Sequence, residues 1–150
     1  MQSLLQLAHE IIYSNRVFIF GTGDTGLTVR SFINKINKLD IYPIFDSANE
    51  EEDSNLKNIH ERDLAIIVSY ENSNKDLIDK GVQDIVKNKG KVAVITSNVK
   101  HINEKLLDYL IKIPSEEGKS KLATFYSQFA FEYVLNLIFA ITYRELILSN

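Results

Sequence analysis

The sequence predicts a single α/β domain built on a doubly wound, five-stranded parallel sheet with helices on both faces. Short apolar runs rich in β-branched residues recur along the 150 residues, and helical patterns separate them. Parallel strands covered on both faces have continuous apolar sequences, and strand–helix alternation at this spacing is typical of right-handed crossovers. The length and the 45% hydrophobic content fit one folded domain, which we expect over residues 1–150.

Five apolar runs predict strands at residues 17–20, 41–45, 64–69, 92–96 and 109–113. Five helical patterns predict helices at residues 3–13, 25–38, 74–89, 101–107 and 121–148. The last pattern is apolar on most of its faces, whereas a surface helix needs only one apolar stripe. We therefore expect this helix to be buried on two sides, by its own sheet and by another subunit of a homodimer or higher homo-oligomer.

The composition excludes several classes of protein. The net charge is −3 with both signs mixed along the chain, so no basic stripe indicates a nucleic-acid surface. No apolar run approaches the ~20 residues that span a bilayer, and the chain's first residues lack the cationic start and cleavage site of a signal peptide. The absence of cysteine excludes disulfides and thiolate catalysis and agrees with a reducing compartment. We expect a cytoplasmic protein that does not contact membranes.

A glycine-rich turn joins the first predicted strand to the next helix and has the sequence Gly21-Thr22-Gly23-Asp24-Thr25-Gly26. Backbone N–H groups at the start of a helix, at the positive end of its dipole, form a ready site for an anionic group. Dinucleotide-binding domains and sugar-phosphate-binding domains share this arrangement. The glycines alone do not decide between them.

The first alternative is a nucleotide-binding domain for NAD or AMP. Gly21, Gly23 and Gly26 have the spacing of the dinucleotide fingerprint, between a strand and a helix. Asp46 follows Gly26 by 20 residues, where an acidic residue would hold the ribose hydroxyls. A nicotinamide or flavin enzyme, however, usually needs a second domain for its substrate, and 150 residues leave no room for one.

The second alternative rests on polar residues that follow the third and fourth strands. These residues are Ser69, Glu71, Asn72, Ser73 and Asn74 after the third strand, and Thr96 and Ser97 after the fourth. Ligands of doubly wound sheets bind beyond the carboxyl ends of the strands, so these side chains can surround phosphate oxygens and sugar hydroxyls. The same residue types are also the preferred caps of helices.

At these positions the sequence resembles the sugar isomerase (SIS) domain family, and most of all the SIS domain of RpiR-type transcriptional regulators. The family's first loop, G-x-G-x-S-x-x-x-A, appears here as Gly21, Gly23, Thr25 and Val29. Its third strand follows an acidic residue and ends in S-x-S-G-x-T, which begins here with Asp63 and Ser69. Further matches are Lys89-Gly90, Thr96-Ser97, Glu117, Lys121 and Ser127-Gln128. The resemblance spans residues 3–143 and implies a sugar-derivative site formed by these loops.

The chain departs from the family in the loop that makes the main phosphate contacts. The second serine, the glycine and the threonine are replaced by Glu71, Asn72 and Asn74, and Asp24 adds a carboxylate to the first loop. Like charges a few ångströms apart cost several kcal/mol even at an effective dielectric of ~20. We therefore expect weak binding of a phosphosugar, unless these carboxylates turn outward or cap helices. The alternatives are a site for a neutral or cationic sugar derivative and a vestigial pocket.

The family also contains isomerases, which use Glu and His for proton transfer. Glu117 and His101 are the candidates for these roles here. No His/Glu pair has metal-ligand spacing and no nucleophile elbow is present, so we expect neither a metal nor a cofactor. We favour a sugar-sensing and dimerisation domain without catalysis, whose usual DNA-binding partner domain is absent from these residues. A small phosphosugar isomerase and the NAD- or AMP-binding domain are the alternatives.

Overall fold

The computed structural model describes residues 2–21, 23–46, 58–69, 75–100, 102–114 and 121–149. The α-helices are α1 (Gln2–Tyr13), α2 (Gly23–Ile36), α3 (Lys75–Lys87) and α4 (Lys121–Ser149). The strands are β1 (Arg16–Gly21), β2 (Ile44–Asp46), β3 (Asp63–Ser69), β4 (Lys91–Thr96) and β5 (Tyr109–Lys112). Short 3₁₀ helices occur at Asn37–Leu39 and Glu104–Leu106.

The strands form one sheet in the order β2-β1-β3-β4-β5, and every neighbouring pair is parallel. This is the predicted doubly wound, five-stranded architecture, and the fold class is confirmed. The order reverses between β1 and β3, and in such sheets the crevice at this switch point is the usual place for a ligand.

Two hydrophobic cores cover the two faces of the sheet, because successive side chains of a strand point to opposite sides. Val17 and Ile19 of β1 belong to the first core, which also contains buried residues of α1, α2 and α4. Phe18 and Phe20 belong to the second core, which contains Ile85 of α3. The helices therefore lie on both faces, three on one side and α3 on the other.

The long helix α4 packs against α1 and α2. It buries Phe131, Leu135, Ile138 and Thr142, and the first three join the core that includes the sheet. The Thr142 hydroxyl donates a hydrogen bond to the Ile138 carbonyl at 2.7 Å, which satisfies its polar group inside the helix packing. None of the helices in the described residues combines the length and the hydropathy that a membrane span requires.

Two predicted elements differ from the structure. The second strand does not extend over residues 41–45, because it begins at Ile44, immediately after Pro43. Proline has no N–H to donate to a strand ladder, so pairing starts beyond it. The helix predicted at residues 101–107 is also wrong. The described part of that segment contains a three-residue 3₁₀ turn, in which the Asn103 side chain accepts a hydrogen bond from Lys105 N.

Candidate functional site at the carboxyl edge of the sheet

Three predicted site residues lie at the carboxyl ends of three neighbouring strands. Gly21 ends β1, Ser69 ends β3 and Thr96 ends β4. Gly21 pairs in register with Val68, and Ser69 pairs with Thr96. Because adjacent strands are ~4.8 Å apart, the fold brings these three residues to one edge at the switch point.

The start of α2 lies directly beyond β1. Gly23 is the first residue of the helix, Asp24 follows it, and Thr25 is half-buried in the same turn. The N–H groups of this first turn therefore face the carboxyl edge, where an anionic or strongly polar ligand group would be stabilised. The predicted site residues Thr22, Glu71, Asn72, Ser73, Asn74 and Glu117, together with His101, lie outside the described residues.

Two glycines of the fingerprint lie where β1 and α2 pack closely together. A Cβ on Gly26 would lie 3.3 Å from the Gly21 carbonyl oxygen and 3.5 Å from Cζ of Phe45. A Cβ on Gly21 would lie 3.1 Å from Cγ2 of Val29. A side chain at either position would therefore require the neighbouring atoms to shift by a few tenths of an ångström. Close helix–strand packing thus explains Gly21 and Gly26 without a nucleotide.

The hydroxyl of Thr96 has a local structural role. Thr96 is fully buried, and its Oγ1 accepts a hydrogen bond from Asn98 N at 3.2 Å. Asn98 Oδ1 in turn accepts from Lys100 N at 3.0 Å. The adjacent Ser97 is also buried. These bonds fix the turn after β4, although Thr96 caps no helix in the described residues, and they hold both residues beside the end of β3.

The sequence did not point to one feature near the glycine turn. The guanidinium carbon of Arg30 lies 4.7 Å from the centroid of the Phe45 ring, which itself packs on Gly26. The Arg30 side chain is exposed and places a positive charge one helical turn beyond the glycine turn. The signal that could have indicated it is the i, i+4 spacing of Gly26 and Arg30, which puts both on one side of α2.

Asp63, which matches the acidic family position, lies at the opposite edge of the sheet. Its carboxylate accepts bidentate hydrogen bonds from Arg16, with Nε at 3.1 Å, and a bond from His60 N at 3.0 Å. Burial raises the pKa of Asp63, but these hydrogen bonds and the Arg16 charge outweigh it and hold the pKa below its ordinary value. Asp63 therefore joins β1 to β3 and does not contact a ligand at the carboxyl edge.

Asp46, the candidate ribose ligand, ends β2 and pairs with Phe20 in register. It lies on the far side of β1 from Ser69 and Thr96. Among the described residues, no group of three His, Asp or Glu side chains has an arrangement that could hold a metal ion.

The geometry defines a class of protein: a doubly wound α/β domain with a polar site at its β1/β3 switch point. Comparison with protein families makes this specific, because the SIS domain family matches residues 10–142. The chain belongs to the SIS domain family, as its sequence motifs indicated. A search of curated proteins found no significant sequence match.

Solved structures with the same fold include both regulators and enzymes. The sugar isomerase domain of an RpiR transcription factor from Sphaerobacter thermophilus is 18% identical, with a TM-score of 0.74, over 96% of this chain and 79% of that one. Vibrio vulnificus NanR, solved with ManNAc-6P, is 15% identical with a TM-score of 0.80, over 96% of this chain and 54% of NanR. A proposed sugar-phosphate isomerase from Listeria monocytogenes is 12% identical with a TM-score of 0.79, over 97% and 77% of the two chains.

Proposed function

We propose that this chain is the sugar-derivative-sensing and dimerisation domain of a cytoplasmic transcriptional regulator, which contacts DNA through another domain. The observation that carries the proposal is the convergence of Gly21 and Ser69 at the switch point, beside the first turn of α2, where the buried Thr96 holds the adjoining turn. N–H groups and hydroxyls bind phosphate oxygens and sugar hydroxyls by hydrogen bonding alone. Such a site recognises a sugar derivative without a metal or a cofactor.

The structural neighbours support the ligand class. NanR binds ManNAc-6P, and the RpiR domain is a sugar isomerase domain within a transcription factor. Both superpose on nearly the whole of this chain. We therefore place phosphorylated, amino and N-acetyl sugars first among the ligands to test.

A small phosphosugar isomerase is the second candidate, because a proposed isomerase has the same fold. Aldose–ketose isomerisation needs a base that moves a proton between adjacent carbons. Neither of the two described histidines serves the carboxyl edge: His9 contacts Glu145 at 2.9 Å between α1 and α4, and His60 N donates to Asp63 at the amino edge. The isomerase candidate therefore depends on Glu117 and His101.

A thermal-shift screen tests the proposal, with sugar phosphates, amino sugars, N-acetyl sugars, NAD and AMP as ligands. A ligand of the folded state at a hundredfold excess over its Kd stabilises the protein by ~2.7 kcal/mol. We expect a shift with a sugar derivative and no turnover of that compound. Ser69→Ala should weaken binding about threefold to tenfold through one lost hydrogen bond. Ser31→Ala, at an exposed position of α2, is the matched control and should bind like the wild type.

Three results would contradict the proposal. Turnover of a sugar phosphate that is lost in Glu117→Gln would make the protein an isomerase. A shift with NAD or AMP alone, reduced by Asp46→Ala, would favour the nucleotide alternative. No shift with any compound would show that the pocket does not sense these ligands.

The dimerisation part of the proposal rests on the outer face of α4. Phe129, Tyr133, Tyr143 and Ile147 are 57%, 70%, 51% and 55% exposed, and their spacing places them on the side opposite Phe131. Aromatic side chains present ~150–250 Å² each when fully exposed, so the stripe offers several hundred Å² of apolar surface. Monomeric proteins rarely expose a contiguous apolar patch larger than a few hundred Å². A standard protein–protein interface buries ~800 Å² on each partner. We infer that a second copy of this chain covers the stripe.

A further inference from the structure

The amino-terminal edge of the sheet, opposite the sugar site, carries a polar groove of about 370 Å³. It lies between the end of α1, the turn before β3 and the start of β4. The groove is lined by Glu10, Tyr13, Ser14, Asn15, Arg62, Asp63 and Lys91. Its volume is within the range of small-molecule sites, which place a few polar groups at fixed positions.

Two ion pairs fix the walls of this groove. Lys91 Nζ lies 2.6 Å from Glu10 Oε1, and the Tyr109 hydroxyl donates to the same oxygen at 3.2 Å. The hydrogen bond to Glu10 raises the pKa of Lys91, so this cation stays charged at neutral pH. On the other side, Arg16 is bidentate on the buried carboxylate of Asp63. Each of these pairs is neutral as a whole.

Arg62 is a cation of the groove lining that belongs to neither of these ion pairs. Its backbone has a φ of 73°, in the left-handed region that a residue with a side chain seldom adopts. Asn15 N donates to the Arg62 carbonyl at 2.7 Å, which holds the turn against the end of α1. No residue that the structure describes accepts a hydrogen bond from the Arg62 guanidinium. Within the described part of the chain, Arg62 is therefore a cation of the groove lining that has no ion-pair partner.

Other polar groups face the same space. Among the described residues, no side-chain hydrogen bond engages Tyr13, Ser14 or Asn15, and the Tyr13 ring is held edge-on to His9 at 6.3 Å. Glu10 uses only Oε1 in its bonds to described residues, so Oε2 can accept. Besides the ion-paired Lys91 and Asp63, a ligand in the groove would thus meet one guanidinium, two hydroxyls, an amide and a carboxylate oxygen.

We propose that this groove binds a small oxyanion that also carries hydroxyl groups, with Arg62 as the residue that recognises the phosphate or carboxylate. A guanidinium offers two parallel N–H donors that match either group. The ligand's hydroxyls would donate to Glu10 Oε2 and accept from Ser14 and Tyr13. Because the seven residues of β3 run from Asp63 to Ser69, the groove lies ~20 Å from the carboxyl edge. Occupancy of the two sites is therefore sterically independent.

Amide chemical shifts recorded by NMR test this proposal, with inorganic phosphate and gluconate titrated separately at constant ionic strength. We expect saturable shifts of Ser14, Asn15 and Arg62 with at least one of the two anions. Saturation with phosphate alone or gluconate alone supports the site and identifies the group that it prefers. Shifts confined to the carboxyl edge, or no saturation with either anion, would overturn the proposal.

Arg62→Gln removes the charge and should weaken the anion's Kd by about tenfold or more. Lys89→Gln is the matched control, because Lys89 is also an exposed cation at positive φ, 64°, and does not line the groove. It should bind like the wild type. If Arg62→Gln folds poorly, Arg62→Lys keeps the charge but loses the parallel donors, and binding should again weaken. Equal affinity in the wild type and the Arg62 variants would refute the assignment.

Discussion

Asp63 shows how one buried carboxylate can hold two neighbouring strands, β1 and β3, together. Its side chain is 1% exposed, whereas that of Arg16 is 41% exposed, so the pair is buried only on the acidic side. Removal of the carboxylate from water is unfavourable, and the bonds from Arg16 and His60 N compensate for it. The residue thus stabilises the amino-terminal edge of the sheet, opposite the candidate site.

Asp63→Asn should destabilise the protein in a pH-dependent way. The pKa of Asp63 is lower in the folded state than in the unfolded chain, where it is ~3.9. Its contribution is therefore present in full above about pH 4 and is lost as the pH falls through the folded-state value. Urea unfolding between pH 7 and pH 3 should show a wild-type advantage that shrinks in acid. A constant difference over this range would contradict the pKa assignment.

Arg16→Met provides the complementary measurement. In this variant the carboxylate stays buried but loses its main hydrogen-bond donor, so burial acts on the Asp63 pKa with less opposition. The acid-induced loss of stability should be smaller than in the wild type. A loss of the same size would mean that other carboxylates cause the wild-type pH dependence.

At the scale of the elements, the sequence predicted most of the sheet. Strands β1, β3 and β4 match the predictions to within a residue, because buried parallel strands leave continuous apolar runs. The error at β2 came from its position at the edge, where Pro43 and only three paired residues give a weak pattern. The helix predicted over residues 101–107 failed because a seven-residue apolar pattern also fits a 3₁₀ turn with packed leucines.

The site was predictable only in part. Gly21, Ser69 and Thr96 follow apolar runs, so their place at strand ends could be deduced from the sequence. Two other features could not be deduced in this way: the exposed guanidinium of Arg62 in the groove and the contact of Arg30 with Phe45. Each depends on residues that are far apart in the chain. The hydroxyl of Thr96 looked equally suited to a ligand and to a cap, and only the bond from Asn98 N showed its role in the turn.

Gly90, the residue immediately before β4, provides a prediction about the stability of the packing around this strand. A Cβ on Gly90 would lie 2.7 Å from Cγ2 of Ile59 and 3.1 Å from Cγ2 of Ile85, both in the buried second core. Gly90→Ala should therefore destabilise the protein by about 1–3 kcal/mol through overpacking, measured by urea unfolding. Ile59→Leu removes the nearer methyl group, so the double variant should recover part of this loss. Strict additivity of the two changes would contradict the contact.

At the scale of the whole molecule, the outer stripe of α4 predicts self-association. Tyr133→Asp should place a charge in the proposed interface and convert a dimer to a monomer at tens of micromolar, as measured by light scattering after size exclusion. Tyr42→Asp is the matched control, because Tyr42 is similarly exposed, at 66%, but lies in the segment before β2. It should remain dimeric. A monomeric wild type, or dissociation in both variants, would contradict the proposed interface.

The strand order also has a consequence during synthesis. β1 lies between β2 and β3, and its Arg16 is 47 residues away from its partner Asp63. Ribosomes add ~5–20 residues per second, so β1 leaves the exit tunnel seconds before β3 is available to pair with it. During that interval Val17, Phe18, Ile19 and Phe20 form an apolar segment without its central neighbour. Nascent chains of this protein should therefore depend on chaperone binding most strongly before β3 has emerged.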